Sequence, residues 1–285
     1  MIIQKFEVSA KEKKRNIGIG LGDNIYHNQK ILKASLSFIG EYKSDVYLFG
    51  KKDFLNKVLE QTAEANFKSR VKFIECRDPG DSIFEYFGNK TIHSIIRGSL
   101  SSNRFLKNVK IYLNSEKVNR LALLETINGH QFFYGPIGID ECNNLENKLT
   151  FLESAIKELN KLDIIPKISI LSGGRIGDIG RDAIVDQTIQ EAEKIVDLVK
   201  NRYPDIIISH DEILIEKAIE KKSNLIIAPN GISGNLIYRT LVHLGGGKAY
   251  GAIYMGLEGK IIDTSRVGNF SEIYGALILA VALSK

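Results

Sequence analysis

The sequence predicts an α/β protein of two closely packed domains, with mostly parallel sheets and one antiparallel hairpin. Short β-rich runs alternate with longer stretches of helical periodicity, which is typical of a parallel sheet covered by helices. The pattern changes at Arg120, where two strand-like runs flank Asn128-Gly129, a dipeptide that favours a hairpin turn. The length of 285 residues suits two domains of roughly 100–200 residues each.

The elements before residue 118 follow the parallel pattern. The helix after the first strand has apolar residues at helical spacing, at Ile31, Leu32, Leu36 and Ile39. Pro79-Gly80 predicts a loop. In chain order we predict strand Asn16–Gly22, helix Asn24–Tyr42, strand Asp45–Phe49, a helix around Asp53–Ala65, strand Val71–Ile74, strand Ile92–Ile96 and a helix that starts within Ser101–Leu106.

After the hairpin the alternation resumes and continues to the end of the chain. Proline residues next to three of these strands mark strand boundaries. We predict helix Leu145–Leu162, strand Ile168–Leu171, helix Asp182–Asn201, strand Ile206–Ser209, helix Asp211–Lys221, strand Leu225–Ala228, helix Gly231–Leu244, strand Tyr250–Met255 and helix Phe270–Leu283.

The composition excludes several classes of protein. With 44% hydrophobic and 26% charged residues, the chain is neither collagen-like, nor of low complexity, nor wholly disordered. The net charge of +5 suits an anionic small molecule but is too weak to indicate nucleic-acid binding. The apolar run Ile273–Leu283 is shorter than the ~20 residues that cross a bilayer, so it predicts a buried helix and no membrane association.

Cysteine usage and the first residues suggest a compartment. Cys76 and Cys142 form neither a disulfide framework nor a CxxC metal site, which indicates a reducing cytoplasm with both thiols buried. Residues 1–16 contain no continuous apolar run, so we expect no secretory signal there.

Two glycine-containing loops in the first half are candidate anion sites. Residues 18–24 (GIGLGDN) could bring backbone N–H groups to a phosphate or carboxylate, and a tight turn is the alternative. In residues 96–104 (IRGSLSSNR), the candidate ligands are Arg97, Ser99 and Arg104, because guanidinium groups bind oxyanions bidentately. Helix capping by Ser101 or Ser102 is the alternative interpretation.

Residues 171–182 (LSGGRIGDIGRD) combine four glycines with two arginines and two aspartates between a strand and a helix. Loops at this position bind ligands in many α/β sheets, and glycine permits a close approach. The candidate ligands are Ser172, Gly173, Gly174, Arg175 and Asp178, and Arg181 could also meet negative charge. An internal Arg–Asp network is the alternative, and Asp182 suits the N-cap of the following helix.

A further loop, residues 228–239 (APNGISGNLIYR), offers Gly231, Gly234 and Asn235. The Asn235 amide beside helix N–H donors suits a phosphate or carbonyl oxygen, and an N-cap or turn lock is the alternative. Residues 245–248 (GGGK) lack the spacing of a phosphate loop and are interpreted as a helix C-cap.

Residues 263–272 (DTSRVGNFSE) place a hydroxyl, a guanidinium and a carboxylate close together at Ser265, Arg266 and Glu272. Capping of the last helix by Ser271 or Asn269, with Glu272 favoured by the helix dipole, is the alternative. The five histidines have no metal-binding spacing, so no metal site is predicted. His210-Asp211 is a candidate acid/base pair, although Asp211 is more simply explained as a helix cap.

The last two loops together resemble the C-terminal signature of the phosphate acetyl/butyryltransferase family. The matching residues are Pro229, Gly234-Asn235, Tyr238-Arg239, Gly245–Gly247, Gly251 and Ser265-Arg266. Residues 97–104 (RGSLSSNR) resemble that family's first-domain substrate loop. Residues 172–182 (SGGRIGDIGRD) resemble the archaeal, methyltransferase-related branch of this family called methanogenesis marker protein 4, or MtxX. In detail the chain most resembles this branch.

The resemblance implies an isocitrate-dehydrogenase-like (phosphotransacetylase-like) fold of two α/β domains with a cleft between them, usually dimeric. The last strand and helix would return to the first domain, which gives domains of 1–118 plus 260–285 and 119–259. The resemblance also implies transfer of an acyl group between the coenzyme A thiol and phosphate without a metal. Glu272 would then deprotonate the thiol, Ser265 would orient it, Arg266 would neutralise developing negative charge, and Arg97 or Arg104 would add a second guanidinium.

Three differences from the acetyltransferases predict a changed substrate on a retained scaffold. Glu272 replaces an aspartate, Val267 replaces a glycine, and the loop 172–182 replaces a Ser/Thr-rich stretch. We therefore expect a cytoplasmic homodimer that uses coenzyme A or a coenzyme-linked anion as substrate, with no bound cofactor. The alternative is a non-catalytic subunit of methanogen one-carbon metabolism with a methyltransferase partner. A nicotinamide-dependent decarboxylating dehydrogenase ranks last, because no aspartate cluster for a divalent metal is present.

Overall fold

The computed structural model describes residues 1–59, 69–257 and 260–284, and it divides the chain into two units. The first unit comprises Met1–Val118 and Ala249–Lys285, and the second comprises Asn119–Lys248. Both consist of a mostly parallel sheet with helices, as the sequence predicts.

The first unit contains six strands and six helices among its described residues. Its sheet has the order β3-β2-β1-β4-β11-β10, in which the described pairings are parallel except for the antiparallel pair β10 and β11. Its elements are α1 (Ile2–Glu12), β1 (Asn16–Gly20), α2 (Ile25–Glu41), β2 (Asp45–Gly50), α3 (Lys52–Leu59), β3 (Val71–Glu75), α4 (Pro79–Gly88), β4 (Ser94–Ile96), α5 (Ser102–Leu113), β10 (Lys248–Tyr254), β11 (Lys260–Asp263) and α10 (Phe270–Ala282).

The second unit has a five-stranded sheet in the order β5-β6-β9-β7-β8. Strands β5 and β6 form the predicted antiparallel hairpin, with Ala122 opposite Tyr134, and the remaining pairs are parallel. Its elements are β5 (Arg120–Glu125), β6 (Gln131–Gly135), α6 (Leu145–Lys161), β7 (Lys167–Ile170), α7 (Ala183–Arg202), β8 (Ile207–His210), α8 (Ile215–Glu220), β9 (Leu225–Ile227) and α9 (Gly231–His243).

Helix α10 is the buried helix that the apolar C-terminal run predicts. It packs against α1, α2, β4 and β11, and ten of its thirteen residues are buried. A helix that is apolar on all sides is stable only when it is covered on all sides. The Lys13 ammonium donates to the carbonyls of Ala282 (2.7 Å) and Ser284 (2.9 Å), which satisfies the end of this helix. Among the described helices, none is long and apolar enough to span a membrane.

Two helices were not expected from the sequence. Helix α1 precedes the first strand, where no element was predicted, because its amphipathic face is covered by α10. Helix α4 occupies the predicted Pro79-Gly80 loop, because proline suits the first helical turn and Asp78 caps the amides of Gly80 and Asp81. The helix predicted around Asp53–Ala65 is present as α3, and residues 60–65 lie outside the described residues.

Other boundaries differ for reasons of strand pairing and local bonding. The sequence-based boundaries assign residues 249–259 to the second domain, but Ala249–Tyr254 lie in the first unit, because β10 pairs with β11 through Ala252 and Ile253. The helix predicted from Asp211 begins only at Ile215. The expectation that Asp211 caps it is wrong, because the Asp211 carboxylate bonds to Ser169 and Lys221 instead.

Cys142 is buried as expected, whereas Cys76 is only half-buried.

Candidate functional site

The carboxyl ends of β1, β4 and β11 lie side by side in the first unit, because these three strands are parallel neighbours. The loops that follow them contain the first, second and last of the sequence motifs. Glycine is required where the loops after β1 and β4 meet. A Cβ on Gly22 would lie 2.4 Å from the Ser99 carbonyl oxygen, and a Cβ on Gly98, whose φ is +62°, would lie 2.3 Å from the Gly20 oxygen.

Ser99 is held inside this edge by a closed ring of hydrogen bonds. The Gly22 amide donates to the Ser99 hydroxyl (2.7 Å), which donates to the Asn28 side-chain oxygen, and the Asn28 amide group donates to the Gly22 carbonyl (2.8 Å). Ser99 is 1% exposed and Asn28 is fully buried. These hydrogen bonds support the alternative interpretation of residues 18–24 as a tight turn. The Ser99 hydroxyl joins the loop after β4 to the loop after β1.

The guanidinium of Arg97 is buried among groups of its own chain. It forms an ion pair with Asp263 (Nε to Oδ1, 2.5 Å) and donates to the carbonyls of Thr264 and Leu100. The other Asp263 oxygen accepts from the Tyr254 hydroxyl (3.3 Å). Asp263 and Tyr254 were not singled out from the sequence, because their roles depend on the neighbouring positions of β4, β10 and β11.

Ser265, Arg266 and Glu272 lie together after β11. The Glu272 carboxylate is buried and accepts the Ser265 backbone amide at 2.6 Å (Oε1), while the Ser265 hydroxyl accepts the Val267 amide at 3.3 Å. A Cβ on Gly268 would lie 2.5 Å from Glu272 Oε2, so bare backbone passes over this carboxylate. The Arg266 side chain is exposed and has no ion pair within the described residues. Asn269 is the N-cap of α10, as the alternative interpretation held, without a side-chain bond.

Arg104 is not brought to this group. Its guanidinium is 59% exposed and pairs with Asp78 and Asp81 of the α4 N-terminus. The N-cap of α5 is Ser101, which makes no side-chain capping bond.

His27, in the first turn of α2, was also not singled out from the sequence. Its ring is 1% exposed, and neither ring nitrogen has a hydrogen-bond partner within the described residues. Burial, together with the positive charges of Lys30 and Arg97, lowers the pKa of His27 to about 4. The local signal for its burial is its position on the apolar face of α2, four residues before Ile31. Helical spacing alone does not distinguish a buried imidazole from an exposed one.

In the second unit, two backbone amides of the loop 171–182 bond to carboxylates, one from the loop itself and one from Glu212. Asp178 accepts the Arg175 amide (2.9 Å) and pairs with Arg181, and Glu212 accepts the Ile176 amide (3.0 Å). The bond from the Arg175 amide and the pairing with Arg181 hold the pKa of Asp178 below its usual range. This is the internal network given above as the alternative, and it leaves the exposed Arg175 guanidinium as the group directed to solvent.

Ser172, Gly173 and Gly174 form the start of that loop, in which Ser172 and Gly174 are buried and Gly173 is half-buried. The Ser172 hydroxyl contacts the Gly174 carbonyl and His210 Nε2, both at 2.8 Å. The Gly173 amide donates to Thr188, and a Cβ on Gly174 would lie 2.5 Å from a Val185 methyl group. Sequence reasoning grouped His210 with Asp211, whereas the structure pairs its ring with Ser172.

Burial lowers the pKa of His210, against the opposing charges of Glu193, Glu212 and Asp211. Burial acts against ionisation of Asp211, but bonds from Lys221 and Ser169 outweigh it and the pKa of Asp211 is lowered. Asp182 caps α7 as predicted, because its carboxylate accepts the amides of Ile184 and Val185.

Gly231, Gly234 and Asn235 contact the loop after β6. A Cβ would lie 1.6 Å from the Gly138 carbonyl oxygen at Gly231 and 1.9 Å from the Pro136 oxygen at Gly234. The Asn235 side chain donates to the Ile137 carbonyl (2.8 Å), so its role is to lock this loop. Asn230, and not Asn235, caps α9.

The C-cap interpretation of residues 245–248 is confirmed, because the amides of Gly245 and Gly247 bond back to the carbonyls of Thr240 and Leu241. Within the parts of the chain that the structure describes, no group of three His, Cys, Asp or Glu side chains could hold a metal ion.

The chain is similar in sequence to a known family and to named proteins, and in structure to solved proteins. Residues 104–281 match a family described as Phosphate acetyl/butaryl transferase. A protein of Methanosarcina mazei named "Putative methyltransferase mtx subunit X" is 34% identical over 99% of this chain and 95% of its own length. Its namesake in Methanosarcina barkeri is 35% identical over 96% of this chain and 95% of its own length. A phosphotransacetylase structure from Streptococcus pyogenes has a TM-score of 0.69 at 15% identity, over 99% of this chain and 98% of that one, which confirms the predicted fold.

Proposed function

Because the chain belongs to the phosphate acetyl/butaryl transferase family, we propose that it transfers an acyl group between a coenzyme A thiol, or a related coenzyme-linked thiol, and phosphate. The observation that supports this most directly is the group after β11. There an exposed Arg266 guanidinium adjoins Ser265, whose amide is held by the buried Glu272 carboxylate at 2.6 Å. A guanidinium beside a hydroxyl and a carboxylate suits a thiol nucleophile and a phosphate leaving group.

In this proposal each of the three residues has one role. Glu272 accepts the thiol proton, Ser265 orients the sulfur, and Arg266 binds the phosphate of the acyl phosphate. The thiolate sulfur attacks the acyl carbon, a C–S bond forms, and the C–O bond to phosphate breaks. The electron pair leaves with the phosphate, whose charge Arg266 offsets, and the proton held by Glu272 passes to solvent or to the released phosphate.

The burial of Glu272 sets a condition on this reaction. The carboxylate is 2% exposed and is covered by the backbone at Gly268. A thiol therefore reaches it after a small shift of the turn 265–268, which has no side chain at Gly268 to obstruct the path. The longer side chain of Glu272, in comparison with the aspartate of the acetyltransferases, is consistent with a carboxylate that bonds to the Ser265 amide and still lies beneath this turn.

The proposal is tested by thermal unfolding with coenzyme A, acetyl phosphate and inorganic phosphate added separately. A ligand at ~100 times its Kd stabilises the folded state by roughly 2.7 kcal/mol, which is a shift of several degrees. We expect a shift that is lost in Arg266→Ala and turnover that is lost in Glu272→Gln. Arg202→Ala is the matched control, since Arg202 lies on α7 and pairs with Glu153 at the surface. Equal shifts and equal turnover in all variants would refute these roles.

A second candidate function is favoured by the relatives that are named as subunits of a methyltransferase. In that case the chain is a subunit without acyltransferase activity, and it binds a methyltransferase of one-carbon metabolism. Co-purification of the tagged full chain with a methyltransferase, together with no thermal shift from coenzyme A, would favour this candidate. In either case we propose a cytoplasmic homodimer. Light scattering of the purified chain tests the dimer.

A further inference from the structure

Arg97 was a candidate anion ligand, but its surroundings suggest a different role. Its guanidinium is buried, with a side-chain exposure of 8%, and it pairs with an Asp263 side chain that is also 8% exposed. We propose that Arg97 is a positioning residue that orients the peptide unit before Ser265, and that it does not bind the substrate. This inference rests on the proposed function of the Ser265–Arg266 turn.

One peptide unit is held from both of its sides. The Thr264 carbonyl accepts from the Arg97 guanidinium, and the Ser265 amide of the same peptide bond donates to Glu272 Oε1 at 2.6 Å. Because a peptide unit is planar, fixing its oxygen and its hydrogen leaves it little freedom to rotate. The direction in which Ser265 and Arg266 leave this unit is thereby set.

The charges reinforce this arrangement. A cation at the carbonyl oxygen and a carboxylate at the N–H polarise the peptide in the same sense, so each of the two bonds strengthens the other. Arg97 is anchored in turn by Asp263, and its own backbone amide donates to the Ile262 carbonyl at 3.0 Å. The pair Arg97–Asp263 is close to neutral, which leaves the exposed Arg266 as the guanidinium that meets an incoming anion at this turn.

A second arginine of the first unit also bonds to backbone carbonyls and to an aspartate: Arg70, at the amino ends of β2 and β3, with a side-chain exposure of 35%. Arg70 donates to the carbonyls of Ile39, Tyr42 and Ser44 and pairs with Asp45, where β2 begins. It therefore makes the same kinds of bond as Arg97 but does not touch the loops after β4 and β11. If replacing such an arginine by lysine only loosened the fold in general, Arg70→Lys would disturb the Ser265 amide as Arg97→Lys does. If Arg97 positions the peptide unit before Ser265, only Arg97→Lys disturbs that amide.

The first test is amide hydrogen exchange of the full chain, measured for wild type, Arg97→Lys and Arg70→Lys. Lysine keeps the charge opposite Asp263 but lacks the planar fork that reaches the two carbonyls. We expect the Ser265 amide to exchange about tenfold faster in Arg97→Lys only, corresponding to the loss of one bond. The Gly173 amide, which bonds to Thr188 in the second unit, serves as an internal reference and keeps its rate. An unchanged Ser265 rate in Arg97→Lys would overturn the proposal.

Should Arg97→Lys not fold, the double variant Arg97→Met/Asp263→Asn replaces it, because it removes both buried charges together. The same Ser265 measurement then applies, with the same expected acceleration.

Turnover with coenzyme A and acetyl phosphate separates positioning from binding. We expect Arg97→Lys to lower kcat with little change in the KM for either substrate, and Arg70→Lys to change neither. A raised KM for acetyl phosphate with an unchanged Ser265 exchange rate would make Arg97 a ligand and refute positioning. Should wild type show no turnover and no coenzyme A binding, the proposed function fails, while the exchange measurement still decides whether Arg97 positions the turn.

Discussion

Protonation of His27 is expected to make the stability of this protein depend on pH. The ring is 1% exposed and its nitrogens have no partner within the described residues, so a charge there is neither solvated nor compensated. Burial and the nearby charges of Lys30 and Arg97 lower the pKa of His27 from 6.5 to about 4. The test is therefore to lower the pH and to compare the free energy of unfolding of wild type with that of His27→Leu.

The magnitude follows from proton linkage. Between pH 6.5 and pH 4 the unfolded chain binds a proton at His27 that the folded chain does not bind. The free energy of unfolding consequently falls as the pH is lowered through this window. At 1.36 kcal/mol per pKa unit, the full loss is about 3 kcal/mol, of which about 1.4 kcal/mol is already lost at pH 5.5.

The measurement is urea unfolding followed by circular dichroism at pH 7.5, 6.5, 5.5 and 4.5. We expect the difference between wild type and His27→Leu to change by about 2–3 kcal/mol across this series, in the direction that destabilises wild type at low pH. Carboxylates with a lowered pKa, such as Asp178 and Glu212, also lose stability on acidification, but they are common to both proteins and cancel.

His243→Leu is the control for loss of a histidine. His243 is half-buried on α9, and burial also lowers its pKa. Since His27 is retained in this variant, it should keep the acid sensitivity of His27. A difference between wild type and His27→Leu that does not vary with pH would show that His27 titrates normally and would refute the reasoning.

The remaining predictions concern stability. Gly231→Ala places a Cβ 1.6 Å from a carbonyl oxygen and should lower the free energy of unfolding by about 2–3 kcal/mol. Gly40→Ala in α2, with nothing within 4 Å, should raise it by up to about 1 kcal/mol; a loss at Gly40 as large as at Gly231 would contradict this explanation. Asp182→Ala removes two capping bonds of α7 and should lower the free energy of unfolding, measured in urea, by about 1 kcal/mol. Phe105→Ala, in the core of the first unit at 1% exposure, should lower the free energy of unfolding by about 3–5 kcal/mol, and a loss below 1 kcal/mol would show that the site collapses.

Features with a short-range cause could be predicted from the sequence. The alternation of strands and helices, the hairpin at Asn128-Gly129, the buried C-terminal helix and the Asp182 cap depend on residues within a few positions of one another. The group Ser265, Arg266 and Glu272 was also found in this way, because it lies within eight residues of chain. Local periodicity and capping chemistry are sufficient for such features.

Features that depend on which strands become neighbours were decided only by the tertiary structure. Strands β4 and β11 are far apart in the chain, and their parallel pairing places Arg97 against Asp263 and Thr264. The antiparallel pairing of β10 with β11 places β10 in the first unit. Local sequence identifies Arg97 as a guanidinium after a strand, but it does not say whether solvent or a buried carboxylate will face that group. That choice depends on desolvation and on partners brought from elsewhere in the chain, and so it follows from strand order and packing.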